Sequence, residues 1–243
     1  MRKLTDITAV ILAGGLGTRL RSVLADRPKV LAEVNGRPFL AYLLDQIVEA
    51  GVRSVVICTR HKGEQVRSAL GEAHRDARLL YSQEPAPLGT AGALRYARPL
   101  LQSDPILVLN GDSYCDTSLI DFFHWHQAQN ANATLLLTEV PDTQRYGRVQ
   151  IDESGRVLRF EEKGGAGGAG WISAGVYLIQ RPLLETIPAD RAVSIEREMF
   201  PAWIGRGLYG YGRWSRFLDI GTPEAYAVAA QFFDPRIYAN RRE

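Results

Sequence analysis

The chain carries a glycine-rich loop near its start, Leu12-Ala13-Gly14-Gly15-Leu16-Gly17-Thr18-Arg19-Leu20-Arg21-Ser22, which directly follows the apolar run Ala9-Val10-Ile11. Its glycines let the backbone turn tightly and bring unshielded N–H groups against an anion. Arg19 and Arg21 add positive charge beside those groups. An apolar strand followed by such a loop predicts an α/β fold with a phosphate cradle after its first strand.

A second cation follows at Pro28-Lys29, where the proline can hold the lysine in an extended stretch. Lys29 and the loop could together bind more than one phosphate group, so a nucleoside triphosphate is the predicted ligand. The dinucleotide-binding pattern is excluded because Gly15 to Leu20 ends in leucine where helix packing needs glycine or alanine. A Walker loop is excluded because no lysine followed by serine or threonine closes a six-residue glycine frame. A purely structural turn stays the alternative.

Composition narrows the class of protein. With 243 residues, 46% of them hydrophobic, the chain is long enough for one α/β domain with a buried core. Its 29 basic and 27 acidic residues include no basic run, so we expect no nucleic-acid partner. The apolar start is too short for a signal peptide or membrane span, and Cys58 and Cys115 indicate neither a disulfide nor a zinc site. We expect a cytoplasmic protein without a membrane partner.

Continuous apolar runs at 10–12, 55–57 and 106–109 are typical of strands buried on both faces of a parallel sheet. Apolar pairs at helical spacing predict a helix from Phe39, and Gly51 suits the left-handed residue after its last turn. Such a sheet binds ligands at the carboxyl ends of its strands. The glycine-rich loop, the stretch from Glu84 to Thr90, and Asp112 would all emerge there.

Further motifs follow in order along the chain: Glu84-Pro85 to Leu88-Gly89-Thr90-Ala91-Gly92, Leu109-Asn110-Gly111-Asp112, Glu162-Lys163, Ala174-Gly175 and Asp219-Ile220-Gly221-Thr222-Pro223. With Gly14 to Leu20 and Pro28-Lys29, this series resembles the sugar-1-phosphate nucleotidyltransferase family over nearly the whole chain. Within that family it looks most like the D-glycero-alpha-D-manno-heptose 1-phosphate guanylyltransferases, on its short length, its ending and Val34-Asn35-Gly36-Arg37-Pro38-Phe39.

The resemblance implies a single domain over residues 1–243, with a Rossmann-like mixed sheet of the nucleotide-diphospho-sugar transferase type flanked by helices. A nucleotide-binding half, 1–113, would precede a sugar-phosphate-binding half, 114–243, with a small β-rich lobe. The strand patterns at 133–140, 148–151, 157–161 and 171–179 predict that lobe. The tract from Gly164 to Gly170 would be a flexible linker, with a lid as the alternative.

The implied reaction is attack by a sugar 1-phosphate oxygen on the α-phosphorus of GTP, which releases pyrophosphate. The nucleophile is already an anion, so the protein needs no general base and must align two highly charged substrates. Arg19 would hold the β- and γ-phosphates, and Lys29 would neutralise charge at the α-phosphate. The nucleotide would also contact Leu12, Ala13, Gly14, Gly15, Gly17 and Thr18.

Two carboxylates, Asp112 and Asp219, are the predicted Mg²⁺ ligands. Each stands in a turn after an apolar stretch, and oxygen ligands at strand ends suit a magnesium ion shared with substrate phosphates. For Asp112 alone, a turn or N-cap aspartate is the alternative. Asp116 is interpreted as structural, as are His124 and His126, which point to different faces of a predicted helix.

Glu162 and Lys163 are the predicted sugar-side pair, binding the sugar hydroxyls and the sugar phosphate respectively. Gly164 stands where the family frequently has proline, and neighbouring strand residues point to opposite faces unless a bulge intervenes. Asn110 belongs to the same predicted site. Gly147, Ala174 and Gly175 would let the backbone approach the sugar, with plain turn and core positions as the alternative.

Glu84 carries the prediction of the base. One carboxylate can accept the adjacent N1–H and N2–H₂ donors of guanine, whereas adenine presents an acceptor at N1. Gly89 and Thr90 would complete this side of the site. The alternative is that Glu84 is a solvated loop charge and that backbone near Leu12, Gly14 and Gly89 makes the base contacts.

The function that follows is GDP-heptose synthesis for surface polysaccharide, and a homo-oligomer is compatible with it. Mannose 1-phosphate is the rival sugar, and another NDP-sugar pyrophosphorylase is a further alternative. A regulatory subunit that binds sugar nucleotides without turnover is the alternative class. An intact set of charged residues, namely Arg19, Lys29, Asp112, Lys163 and Asp219, favours an enzyme.

Overall fold

The computed structural model describes residues 3–15, 17, 20, 24, 27–60, 62–161 and 167–234. Its strands are β1 (Thr8–Leu12), β2 (Glu33–Val34), β3 (Arg37–Pro38), β4 (Ser54–Thr59), β5 (Ala73–His74), β6 (Ala77–Gln83), β7 (Ile106–Asn110), β8 (Ser113–Cys115), β9 (Ala133–Val140), β10 (Val149–Ile151), β11 (Val157–Phe160), β12 (Gly170–Ile179), β13 (Leu208–Gly212) and β14 (Phe217–Asp219).

The α-helices are α1 (Phe39–Glu49), α2 (Gly63–Leu70), α3 (Gly89–Tyr96), α4 (Leu119–Ala128), α5 (Phe200–Trp203), α6 (Pro223–Ala227) and α7 (Ala229–Phe232). The helix predicted from Phe39 is confirmed as α1, and Gly51 follows its last turn with a φ of +103°. Across the described ranges, no helix is long and apolar enough to cross a membrane.

One mixed sheet of eight strands, in the order β13-β9-β12-β7-β1-β4-β6-β5, forms the centre of the molecule. β1 pairs in parallel with β4 and β7, so that Val10 lies opposite Val56 on one side and Val108 on the other. All three valines are fully buried. The three apolar runs predicted as parallel strands are therefore confirmed.

Alternate residues of these strands supply two hydrophobic cores. Ile11 and Ile57 pack in one core with residues of α1 and α4, while Val10 and Val56 pack in the other with residues of α3 and α5. Successive side chains of a strand point to opposite faces, so continuous apolar strands need helices on both sides. The predicted mixed α/β sheet flanked by helices is confirmed.

Most of the predicted β-rich lobe belongs to the main sheet. β12 runs antiparallel between β7 and β9, and β13 extends the sheet in parallel with β9. Of the four predicted segments, only those that form β10 and β11 pair outside it, as an antiparallel hairpin. The lobe is smaller than predicted because 133–140 and 171–179 are apolar enough to be buried within the sheet. The main sheet takes strands from both predicted halves, 1–113 and 114–243.

Candidate functional site

A cavity of about 490 Å³ opens at the carboxyl ends of the parallel strands. Most of the described residues predicted for the nucleotide, metal and catalytic groups line it, together with Asn110, predicted for the sugar; Asp219 is not among the lining residues. Those that line it are Leu12, Ala13, Gly14, Gly15, Gly17, Lys29, Glu84, Gly89, Thr90, Asn110 and Asp112. Residues that come from distant parts of the sequence converge because β1, β4, β6 and β7 run in the same direction. Thr18 and Arg19 lie outside the described residues.

Two glycines of the loop are required by the side chains around them. A Cβ atom at Gly14 would lie 2.6 Å from Glu84 Oε1, so only glycine leaves room for that carboxylate. Gly17 has a φ of +56°, and a Cβ there would lie 3.2 Å from Lys29 Cβ. The loop is therefore shaped around Glu84 and Lys29.

Lys29 lies between the two predicted metal ligands. Its Nζ is 2.7 Å from Asp112 Oδ2 and 3.8 Å from Asp219 Oδ1. The pairing of β14 with β8, which sets Asp219 opposite Ser113, and a 3.0 Å hydrogen bond from Ile220 N to Asp112 O bring the two aspartates together. One cation and two carboxylates thus form a single charged cluster at the cavity.

The two carboxylates suit a magnesium ion by their chemistry and position. Asp112 and Asp219 face the same ammonium group and are 44% and 28% exposed, so an ion shared with substrate phosphates could reach both. Gly221 N donates a 2.7 Å hydrogen bond to Asp219 Oδ1, which orients that carboxylate. A Cβ at Gly221 would lie 2.7 Å from the same oxygen.

Glu84 is buried at the end of β6, with 8% of its surface exposed. Its Oε2 accepts a 2.9 Å hydrogen bond from Leu88 N, and Oε1 lies toward Gly14. Burial raises the pKa of the carboxyl, against opposing effects of the Leu88 N–H and of the nearby Arg60. A solvated loop charge does not describe this residue, because the protein holds its carboxyl inside the cavity wall.

Gly89 and Thr90 line the cavity and also attach it to a later segment. Gly89 has a φ of +73°, and a Cβ there would lie 2.4 Å from Val193 O. The Thr90 hydroxyl accepts a 2.8 Å hydrogen bond from Ile195 N. The segment 193–196 is thereby fixed against the wall of this cavity.

A second cavity, of about 360 Å³, adjoins the first and shares Ser194 and Glu196 with it. Gly147, a predicted sugar-side residue, lines this cavity with a φ of +78°. Glu161 also lines it, whereas Glu162 and Lys163 lie outside the described residues. Of the described residues predicted for the sugar, Gly147 lines the second cavity and Asn110 lines the first.

Ala174 and Gly175 occupy a bulge in β12, where its register with β9 shifts. Ala174 is fully buried in the hydrophobic core, which agrees with the alternative that it is a core residue and not one that contacts the sugar. Gly175 has a φ of +74°, and a Cβ there would lie 2.4 Å from Ser113 Oγ and 3.0 Å from Asn110 Nδ2. Only glycine fits against the side chains of Ser113 and Asn110 at this position.

Two charged residues of the first cavity, Arg60 and Glu196, were not predicted. Arg60 follows β4 and borders Glu84. Glu196 lies in the π-helical turn Ile195–Met199. Its Oε1 accepts a 2.7 Å hydrogen bond from the Tyr177 hydroxyl. No local pattern distinguishes Glu196 from Glu198 two residues later, since both lie in one polar stretch and only the tertiary fold separates them.

The parallel strands, the glycine-rich loop and the charged cluster at their carboxyl ends define an α/β protein of the Rossmann-like nucleotide-binding class. The comparisons give the family. The profile of the family described as nucleotidyl transferase matches residues 8–235, and the chain belongs to that family.

Curated relatives include sugar-phosphate enzymes of two kinds. The chain is 36% identical over 225 residues to a mannose-1-phosphate guanylyltransferase of Mycobacterium tuberculosis, which covers 91% of this chain and 63% of the relative. It is 33% identical over 222 residues to the D-glycero-alpha-D-manno-heptose 1-phosphate guanylyltransferase of Aneurinibacillus thermoaerophilus. The aligned region covers 91% of this chain and 96% of that relative. The chain thus spans less than two thirds of the length of the Mycobacterium tuberculosis relative.

Solved structures agree with this placement. The crystal structure of HddC from Yersinia pseudotuberculosis complexed with GMP-PN has a TM-score of 0.82 and 31% identity, over 94% of this chain and all of that one. A putative glucose-1-phosphate thymidylyltransferase from Bacillus anthracis, 22% identical over 93% of this chain and 94% of that one, has a TM-score of 0.83 and shows the shared fold.

Proposed function

We propose that the protein transfers GMP from GTP to a sugar 1-phosphate and releases pyrophosphate. The observation that carries the proposal is the buried Glu84 carboxyl in the wall of a cavity that also holds Lys29 and Asp112. A carboxylate there accepts the two adjacent donors of guanine, and the cationic group lies where phosphates would enter. The relatives named as guanylyltransferases support the same base.

The charged cluster provides what this reaction needs. Because both substrates are anionic, the rate depends on alignment and on neutralising charge in the transition state. Lys29 would stabilise the α-phosphate as the new bond to the sugar phosphate forms. Asp112 and Asp219 would hold Mg²⁺, which when bound neutralises phosphate charge and orients the oxygens around phosphorus.

The loop backbone would complete the phosphate site. The N–H groups around Gly14 and Gly15 lie at the end of β1, beside the same cavity. Backbone N–H groups after a strand bind phosphate without the cost of ordering a side chain. Arg19 is proposed to contact the β- and γ-phosphates of the nucleotide, and Lys163 is proposed to contact the sugar phosphate.

The first candidate for the acceptor is D-glycero-alpha-D-manno-heptose 1-phosphate, on the resemblance carried by residues 34–39; the rival is mannose 1-phosphate. Relatives with each name are similar to this chain. We further propose that the product is a GDP-sugar consumed in surface polysaccharide synthesis, and that the enzyme works in the cytoplasm, where its buried thiols stay reduced.

The test is pyrophosphate release by the full chain with Mg²⁺, over GTP, ATP, UTP, CTP and dTTP against heptose 1-phosphate, mannose 1-phosphate and glucose 1-phosphate. We expect the highest kcat/KM with GTP and one of the two manno-configured sugars. Turnover that requires UTP, dTTP or ATP would refute the base assignment. Binding of GDP-sugars without any turnover would favour the regulatory class instead.

A further inference from the structure

Glu196 lies at the junction of the two cavities and is held there by two polar side chains. Its Oε1 accepts hydrogen bonds from the Tyr177 hydroxyl at 2.7 Å and from Asn110 Nδ2 at 3.4 Å. The same Asn110 amide lies 3.2 Å from the Tyr177 oxygen. Three side chains from β7, β12 and the turn at 195–199 thus form one network.

This network determines which atom of Glu196 is available to a ligand. Tyr177 is fully buried, and burial together with Glu196 raises the pKa of its phenol well above the ordinary value, so its hydroxyl keeps its proton and donates it. Oε1 therefore has two donors within the protein. Among the described residues, no hydrogen bond is made to Oε2, and Glu196 lines both cavities.

The charge of Glu196 limits what can bind beside it. A phosphate next to a carboxylate would suffer like-charge repulsion, whereas an uncharged hydroxyl would donate a charge-assisted hydrogen bond to it. The phosphates would have cationic partners in Lys29, which lines the first cavity, and in Arg148 and Arg197, which line the second. The chemical group that fits beside the Glu196 carboxylate, between these cations, is a neutral ring that carries hydroxyls.

We infer that Glu196 is the acceptor for a hydroxyl of the sugar ring, with Tyr177 and Asn110 as its positioning residues. The inference deepens the proposed function, on which it rests, by assigning the residue that selects a ring hydroxyl. The network also connects the two substrates, because Ile195 N donates to Thr90 on the nucleotide side. The sugar contact is thereby fixed relative to the nucleotide.

The experiment compares the parent chain with Glu196→Gln, using GTP and mannose 1-phosphate and its three monodeoxy analogues at C2, C3 and C4. We expect Glu196→Gln to raise KM for mannose 1-phosphate by about tenfold, with KM for GTP changed by less than about twofold. One deoxy analogue should lower kcat/KM of the parent by about tenfold and that of the variant by less than about twofold.

Glu198→Gln is the matched control, since it makes the same chemical change in the same turn. Glu198 accepts hydrogen bonds from Arg191 and from Ser194 N, and a glutamine oxygen can still accept from Ser194 N. Its kinetics should match those of the parent. Tyr177→Phe keeps the ring and removes the donor to Oε1, so it should raise KM for the sugar phosphate by a smaller factor in the same direction, without affecting KM for GTP.

A second measurement separates this inference from the proposed function. If the parent fails to release pyrophosphate with any pair of substrates, the proposed function fails, and calorimetry then compares binding of GDP-mannose and GDP. The inference predicts that the parent binds GDP-mannose more tightly than GDP and that Glu196→Gln loses this difference while it still binds GDP. Equal discrimination in parent and variant, in kinetics or in binding, would overturn the inference.

Discussion

Lys29 Nζ donates a 2.7 Å hydrogen bond to Asp112 Oδ2, so the cation predicted for the α-phosphate is paired with a carboxylate predicted for the metal. The lysine side chain is only 11% exposed, which holds its charge at the cavity instead of in solvent. A phosphate paired with Lys29 would leave Asp112 available as a ligand for Mg²⁺. Nucleotide and metal binding should therefore reinforce each other.

Replacing Lys29 by alanine should lower kcat by at least about 10²-fold, as does the loss of one preorganised electrostatic group in other enzymes. The charge matters most as the transition state forms, so KM for GTP should change less than kcat. Steady-state pyrophosphate release measures both constants. Lys3→Ala, at an exposed position outside the cavity, is the control. An unchanged kcat for Lys29→Ala would end the assignment.

Asp219→Asn should remove Mg²⁺-supported turnover with the fold retained. A neutral amide is a weak ligand for magnesium, but its oxygen can still accept the hydrogen bond from Gly221 N that the carboxylate accepts at 2.7 Å. The measurement is the Mg²⁺ dependence of the rate, together with the melting temperature. Asp116→Asn makes the same change outside the cavity and should behave like the parent. Normal activity of Asp219→Asn at limiting Mg²⁺ would contradict the role.

Thr90→Val should weaken the site on both the nucleotide and sugar sides. The valine leaves Ile195 N without the acceptor that Thr90 Oγ1 provides at 2.8 Å, at a cost of about 1–3 kcal/mol. Since 195–196 borders both cavities, KM should rise for GTP and for the sugar phosphate, and the melting temperature should fall. Thr90→Ser keeps the hydroxyl and should restore both KM values. An effect on GTP alone would show that Thr90 acts only on the nucleotide.

The strands and most nucleotide-side residues could be predicted because they depend on local pattern. Val10, Val56 and Val108 belong to apolar runs, and a parallel sheet brings the turns after such runs to one edge. Glu84 lies at that edge as predicted, and its role toward guanine stays a prediction. In these cases the sequence pattern predicted the strand and the sheet edge at which it ends.

The sugar side depended on contacts between distant parts of the chain. Glu196 becomes distinct from Glu198 only because Tyr177 on β12 and Asn110 on β7 reach it. The extent of the β-rich lobe was wrong, because a sequence pattern predicts a strand without indicating which sheet it joins, and β9 and β12 join the main sheet. Pairing of Lys29 with Asp112 likewise follows from strand ends that meet in space.

His126 should make stability fall in acid. It is fully buried, with Nδ1 2.7 Å from Thr134 Oγ1, and burial lowers its pKa from 6.5 to about 4. As the pH falls, the unfolded chain takes up the proton on this histidine before the folded chain does. The neutral, buried His126 therefore contributes roughly 3 kcal/mol to the free energy of unfolding at a pH above the unfolded pKa of about 6.5. This contribution is lost as the pH falls toward the folded pKa.

The measurement for His126 is the free energy of unfolding between pH 7 and pH 4.5. His126→Gln should show a smaller decrease over this range, whatever its stability at neutral pH. His124→Gln is the control, since His124 is exposed on the same helix. An identical pH dependence in the parent and in His126→Gln would assign the acid effect to other groups.

Glu84→Gln tests the choice of base. Glutamine can keep the 2.9 Å hydrogen bond from Leu88 N through its carbonyl oxygen, and it places an NH₂ donor where Oε1 stands. Against guanine, that donor meets the N1–H or N2–H₂ group, so the preference for GTP over ATP should fall by about tenfold to a hundredfold in kcat/KM. Paired measurements of both nucleotides in parent and variant give this ratio.

Stability separates loss of base recognition from damage to the fold. Burial raises the pKa of Glu84, so the ionised carboxylate destabilises the folded state as the pH rises through that value. Glutamine removes the charge and keeps the shape, and the melting temperature of the variant at pH 7 should therefore not fall. If the parent prefers ATP, UTP or dTTP, or if Glu84→Gln leaves the preference for GTP intact, Glu84 does not read guanine and the base contacts come from the backbone of the glycine-rich loop.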